Sequence, residues 1–205
     1  MKGISLFAAS CVAVLLLGLF TPLAHADQWN QATKLTFSEP VEIPGTVLPA
    51  GTYWFTLMPD NPENNVVQVW GADRQHLIAT ILTIPDYRLQ PTGKTVIRFE
   101  ERPSSQPEAL RAWFYPGDNF GHEFVYGESR AREIAKRTGQ AVLSMRDEDA
   151  ANITKPAKSV NEPSVQAMKH AQVQAINPSG QEVDKSQAVQ ETPQSTNNQT
   201  TMPQR

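Results

Sequence analysis

Residues Val41–Met58 read VEIPGTVLPAGTYWFTLM. Pro44-Gly45 and Pro49-Ala50-Gly51 are turn signals, because proline presets φ and glycine enters the left-handed region without steric cost. After the second turn, Tyr53, Phe55 and Leu57 alternate with Thr52, Trp54 and Thr56. A period of two describes a strand with one buried face. The stretch therefore reads as β-structure punctuated by hard turns.

The same pattern extends both ways. Lys34–Ile43 is expected as the first strand, with Leu35 and Phe37 on one face. Val66–Trp70, His76–Ile84, Thr95–Glu101, Ala109–Tyr115 and Glu123–Tyr126 follow, separated by turn residues such as Gly71-Ala72-Asp73 and Pro116-Gly117-Asp118-Asn119. His76–Ile84 is almost continuously apolar or β-branched, the pattern of a strand covered on both faces. In Ala109–Tyr115, the alternation assigns Leu110, Ala112 and Phe114 inward and Arg111, Trp113 and Tyr115 outward. About seven short strands at this spacing predict an all-β fold, an antiparallel β-sandwich or small barrel. One short helix is expected to close it. Ser129 would be its N-cap, Gly139 its terminal glycine, and Ala131, Ile134 and Ala135 its apolar face. Ala141–Met145 is then expected as one more edge strand.

Residues 1–26 have the features of a signal peptide. Lys2 precedes an apolar run from Ile4 to Phe20, and Ala24-His25-Ala26 is an A-x-A cleavage site. An uncleaved anchor is the competing reading, since the run approaches the roughly 18 residues of a span. The switch to Asp27-Gln28-Trp29-Asn30 favours cleavage before Asp27. After cleavage no second apolar run remains to span a membrane, so an exported protein, periplasmic or extracellular, is expected. Cys11 is the single cysteine, and it lies inside the apolar run, which continues past it to Phe20. That continuation disfavours a lipidated cysteine, and a mature chain without Cys11 has neither disulfides nor thiol ligands.

Residues 27–145 are the expected β-domain and residues 146–205 an expected disordered tail. Every Trp, Tyr and Phe lies at or before Tyr126, whereas the tail is rich in Gln, Asn, Ser, Thr and Pro. Such a composition offers little to offset the ordering entropy, about 1–2 kcal/mol per residue. Within it, Ser164–Ile176 has a weak helical pattern without a continuous apolar stripe.

The formal net charge is −3, with no block of like charges, which argues against a nucleic-acid partner. Asp118, His122 and Glu123 form the most polar cluster, and a small metal-dependent hydrolase centred on them is one alternative function. The other histidine of the β-domain is His76, distant in sequence, so the plainer expectation is a glycine-bearing turn entering a strand. Gly93-Lys94-Thr95 lacks the earlier glycine of a phosphate loop, because that position is Arg88. Glu100 and Glu101 are neighbours on a strand and point to opposite faces, which separates them as an acid–base pair. No catalytic residue, metal site or cofactor is assigned.

Trp54, Trp70, Trp113 and Tyr115 all fall opposite the aliphatic sets assigned inward. Trp54, Trp113 and Tyr115 are therefore the candidate ligand-binding residues, a platform for stacking on sugar rings or holding an apolar peptide. The alternative is that they line a second layer of core.

VEIPGTVLPAGTYWF, ATILTIPDYRLQPTGKTVIRFEERP and RAWFYPGDNFGHEFVYGESRAREIAKRTGQAVLS resemble an uncharacterised family of small exported bacterial proteins. The resemblance covers Lys34 to Ser144. It implies an envelope-associated bacterial domain, and the family has no assigned activity, so no functional residue is transferred from it. Together these features predict a non-enzymatic exported β-domain with a structural or binding role in the cell envelope. The alternative is a carbohydrate- or peptide-binding module using surface aromatics, and the expected partner is an envelope component, glycan or peptide.

Overall fold

The structure, a computed structural model, describes residues 31–87, 90–100 and 106–190. The expected signal peptide and residues 191–205 lie outside the described residues. The described chain is mostly β. In order, its strands are β1 (Ala32–Phe37), β2 (Val41–Ile43), β3 (Thr46–Leu48), β4 (Gly51–Leu57), β5 (Val66–Gly71), β6 (Leu77–Tyr87), β7 (Val96–Glu100), β8 (Glu108–Phe114), β9 (Phe120–Phe124) and β10 (Tyr126–Gly127). Helix α1 (Glu128–Thr138) and strand β11 (Val142–Met145) follow. The chain continues with α2 (Asp147–Ile153), α3 (Pro163–Met168), β12 (Gln174–Ile176), β13 (Glu182–Val183) and α4 (Lys185–Gln190).

Nine strands join in one sheet of order β1-β4-β5-β6-β9-β8-β2-β3, with β7 pairing on β8. The sheet ends on β1 and β3 rather than closing, so it is no barrel, and β2 runs parallel to β8. A second sheet, β10-β11-β12-β13, also mixes directions, because β10 and β11 are parallel. Both findings correct the expectation of about seven purely antiparallel strands. The three-residue strands β2 and β3 are what the Pro44-Gly45 turn makes possible, with Gly45 at φ 86°. Residues 38–40 separate β2 from the first strand, which ends at Phe37 instead of running on to Ile43.

The large sheet curls so that its halves face each other across one core. Leu35, Phe37, Phe55, Val67 and Ile81 come from one half, and Ile43, Leu48, Ile97, Leu110, Trp113 and Phe124 from the other. Aromatic contacts cross the gap: Phe55 meets Trp113 at 6.3 Å and Phe37 meets Phe99 at 6.3 Å between ring centroids. The alternation read in Tyr53, Phe55 and Leu57 places all three in this core.

The expectation of disorder from residue 146 is corrected over the described part of that segment. Ile153, Ala157, Val165, Met168, Ala175 and Ala188 are buried in a second core with Met58, Val66, Leu82, Val125 and Leu143. These C-terminal residues cover part of the outer face of β5 and β6. Ala157 forms the polar seam, its carbonyl accepting from Gln68 Nε2 at 2.8 Å and Thr80 Oγ1 at 3.1 Å while its N–H donates to Thr80 Oγ1 at 2.9 Å. Burial of small and medium apolar groups against a preformed sheet, together with satisfied polar atoms, replaces the aromatic content that the composition lacks. Ser164–Ile176, weakly helical by pattern, divides into α3 and β12.

Helix α1 matches its expected apolar face, with Ala131, Ile134 and Ala135 buried, and its expected left-handed Gly139. Its N-terminus differs. Gly127 holds the cap position, and Asp147, from the start of α2, accepts from the Ser129 backbone N–H at 3.0 Å. A cap supplied from another element satisfies the free N–H as a local serine would. Strand β11 is central in its sheet, between β10 and β12, instead of at an edge.

Candidate functional site

The outer face of β1, β4 and β5 is built by the side chains that alternate with the core set. Register places Lys34 opposite Trp54 and Trp54 opposite Trp70, so one row across three strands reads Lys34–Trp54–Trp70. Lys34 is exposed, and both indoles are half-buried. On one side of the row, Thr36 and Thr52 share a hydrogen bond of 3.0 Å between their hydroxyls. On the other, Trp70 Nε1 donates to Thr56 Oγ1 at 3.2 Å, which fixes the indole.

The β5–β6 connection completes this face. The Asp73 carboxylate accepts from the backbone N–H groups of Gln75 at 2.9 Å and His76 at 3.3 Å, and lies 2.9 Å from His76 Nδ1. The Gln75 N–H and the His76 ring hold its carboxyl down at about 2. Arg74, between them, has φ 56°, in the left-handed region, and its guanidinium carbon sits 4.5 Å from the Trp54 ring centroid. A cation over an indole face is attracted by the ring quadrupole. Neither Lys34 nor Arg74 has a carboxylate partner among the described residues.

Of the three aromatic residues expected to form a platform, only Trp54 lies on this face. Trp113 is fully buried, and Tyr115 is half-buried and packed against the main core. A bulge explains the inversion. The β7–β8 pairing matches Arg98 to Ala112 but Phe99 to Leu110, leaving Arg111 as the extra residue. One extra residue reverses the faces beyond it. Leu110 and Trp113 therefore both enter the core, while Ala112 and Phe114 turn to the other face with Val96.

That bulge also organises the charges. Arg111 lies 3.3 Å from Glu100 and 3.3 Å from Glu123, and donates to Gln140 Oε1 at 3.1 Å and to the Ala188 carbonyl at 2.7 Å. Beside it, Arg98 pairs with Asp86 at 3.0 Å. Glu100, Asp86 and Glu123 are each almost fully buried. Burial alone would lower Arg111, but Glu100 and Glu123 outweigh it and hold the guanidinium above its ordinary range. Burial raises Asp86 against the pull of Arg98, and pushes Glu123 up to about 8. Three acids thus face two guanidinium groups in this cluster.

Asp118, His122 and Glu123 do not converge. Neighbours on β9, His122 and Glu123 point to opposite faces. His122 stacks on Trp113 with centroids 5.4 Å apart, its Nδ1 is 3.3 Å from Thr83 Oγ1, and burial lowers its pKa to about 4. Asp118 accepts from Gln31 Nε2. His76 is in the exposed Asp73 turn. Among the described residues no group of three or more His, Cys, Asp or Glu side chains is arranged to hold a metal ion.

Two concave regions are found elsewhere. One of about 510 Å³ lies beside β3 and includes Ile43, Val47, Arg130 and Thr154, and one of about 490 Å³ includes Val173, Glu182 and Lys185. Neither is lined by Asp86, His122 or Glu123. Sequence reasoning missed Trp70, Lys34 and Arg74 as a group. Their cross-strand register was the missing information, although Asp73 two residues before Gln75 in a short hairpin was a visible turn signal. No protein-family model matches this chain, and no curated protein and no solved structure matches it either.

Proposed function

We propose that this is a non-enzymatic, exported β-domain with a binding or scaffolding role in the bacterial cell envelope. The observation that carries this is the disposition of its ionisable groups. Asp86, Glu100 and Glu123 are buried against Arg98 and Arg111, where they neutralise one another, and His122 is packed on Trp113. Catalytic acids and bases need access to a substrate proton; these groups instead hold strands together. Export rests on the Ile4–Phe20 run and Ala24-His25-Ala26, and the envelope setting rests on the family resemblance over Lys34 to Ser144. The facing halves of the large sheet are read as a sandwich-type scaffold.

A glycan- or peptide-binding role is the more specific form of this proposal, and the half-exposed Trp54 and Trp70 favour it. The test has two parts. The full chain expressed with its leader is expected in the extracytoplasmic fraction with Asp27 as its first residue, by intact mass. The purified protein is expected to show no turnover on esterase, glycosidase and peptidase panels. Cytoplasmic retention would defeat the export proposal, and robust turnover abolished by substituting a described carboxylate would defeat the non-enzymatic one.

A further inference from the structure

We propose that Lys34, Trp54, Trp70 and Arg74 form a binding site for an acidic polysaccharide whose sugars carry carboxylates. This rests on the reading of the protein as a binding domain and names the ligand of its aromatic face.

Three features of the face combine. First, the row Lys34–Trp54–Trp70 crosses three neighbouring strands, a span on the order of 10 Å at the usual strand spacing. Arg74 occupies one face of Trp54, so the apolar surface left for the C–H face of a pyranose is the exposed part of Trp70 and the part of Trp54 that the guanidinium leaves uncovered. Second, the cations are placed at the aromatic surface. Arg74 lies over Trp54 and Lys34 is its cross-strand neighbour. In a chain of net charge −3, two exposed cations without carboxylate partners among the described residues give this face a complement for anions. A guanidinium resting on an indole keeps its edge donors available, and that edge matches a carboxylate in two parallel hydrogen bonds.

Third, the cationic arm is preorganised. Asp73 ties down the Gln75 and His76 N–H groups, and the Arg74 N–H donates to Gly71 O at 3.0 Å. Arg74 is thus held in a left-handed conformation that a residue with a side chain adopts at some cost. Fixing the arm beforehand reduces the entropy lost on binding. The threonine hydroxyls of Thr36, Thr52 and Thr56 border the row and suit sugar hydroxyls. A membrane surface is the less favoured partner, because insertion needs apolar side chains projecting from the surface, whereas these indoles are half-buried in a strand face bordered by hydroxyls.

The experiment titrates the full mature chain with polygalacturonate, with neutral dextran and with vesicles containing phosphatidylglycerol. Tryptophan fluorescence and calorimetry report binding, and released reducing ends are assayed in the same samples. Polygalacturonate is expected to bind and to weaken steeply as salt is raised, while dextran and vesicles do not bind comparably. Arg74→Ala is expected to weaken binding at least about tenfold, as for loss of a charge-assisted bidentate contact, and Arg74→Lys to restore part of it. Trp54→Ala is expected to abolish binding and Trp54→Phe to retain some. Arg74 is exposed, so an unchanged melting temperature in its variants excludes misfolding as the cause. No polygalacturonate binding, equal dextran binding, binding indifferent to Arg74→Ala, or binding to vesicles alone would each overturn the inference. Loss of binding without turnover leaves the non-enzymatic proposal standing. Release of reducing ends overturns that proposal instead.

Discussion

Arg111 donates to the carbonyl oxygen of Ala188 across 2.7 Å, joining a bulge in the large sheet to the C-terminal helix α4. The same guanidinium faces Glu100 and Glu123. Removing one partner of a buried ion pair costs about 3–5 kcal/mol, because the other charges are left uncompensated. Arg111→Met is therefore expected to lower stability by that order in urea denaturation. Adding Glu100→Gln and Glu123→Gln to it is expected to recover part of the loss. A triple variant no more stable than the single one would show that the Ala188 and Gln140 contacts, not the charges, dominate.

A chain ending at Met145 is expected to lose cooperative unfolding. It would uncover Met58, Val66, Leu82 and Val125, which the later residues bury, at roughly 1.5–3 kcal/mol for each large side chain fully exposed. Near-ultraviolet circular dichroism and dye binding would report the loss. Limited proteolysis of the full chain is correspondingly expected to spare residues 147–188. Early cutting there, leaving a stable core, would contradict the packing described.

Gly121→Ala is expected to destabilise by about 1–3 kcal/mol. A Cβ at this position would lie 2.6 Å from Phe114 Cδ1 and 2.6 Å from the Trp113 carbonyl oxygen, so β8 and β9 must separate. Gly93→Ala, where an added Cβ meets nothing within 4 Å, is the control and is expected to be neutral. Thermal unfolding of both variants checks the contrast.

Stability is expected to depend on pH through two groups of opposite sign. His122 falls from 6.5 to about 4 on folding, so the native state binds fewer protons and stability is lost as pH drops through that window. Glu123 rises from 4.5 to about 8, so the native state holds an extra proton and stability falls as pH climbs from 4.5 towards 8. The slopes offset between 4.5 and 6.5, leaving a broad maximum there and a decline to pH 8. Glu123→Gln is expected to flatten the alkaline decline, with a difference of at least about 1 kcal/mol at pH 8. An unchanged pH profile in that variant would exclude Glu123 as its source.

The strands were legible wherever side-chain alternation was strict. Tyr53, Phe55 and Leu57 face the core as their spacing requires, and Ala131, Ile134 and Ala135 do the same on α1. Trp113 was misplaced because a bulge leaves no mark in a hydrophobic pattern; Arg111 reads as an ordinary outward residue. The segment after Met145 was misjudged for a different reason. Its buried groups include Ala157, Ala175 and Ala188, whose value comes from close approach to a surface already formed, and alanine carries no such signal in sequence. Of the candidate site, Trp54 was legible from alternation. Its association with Lys34, Trp70 and Arg74 depended on strand register and on one tight turn.

The seam at Ala157 has a consequence for how the protein is made. Gln68 and Thr80 find their partner about eighty residues later in the chain, and the apolar groups around them wait for Ile153, Val165 and Met168. A polypeptide emerging from its N-terminus therefore completes the strands of the large sheet before it can cover them. Until the last turns arrive, Val66 and Leu82 face water on a strand surface open to other chains, the circumstance in which β-rich intermediates associate. Protection against aggregation is thus acquired late, and mutations in the aromatic-free C-terminal segment should reduce the yield of folded protein before they reduce the affinity of any surface.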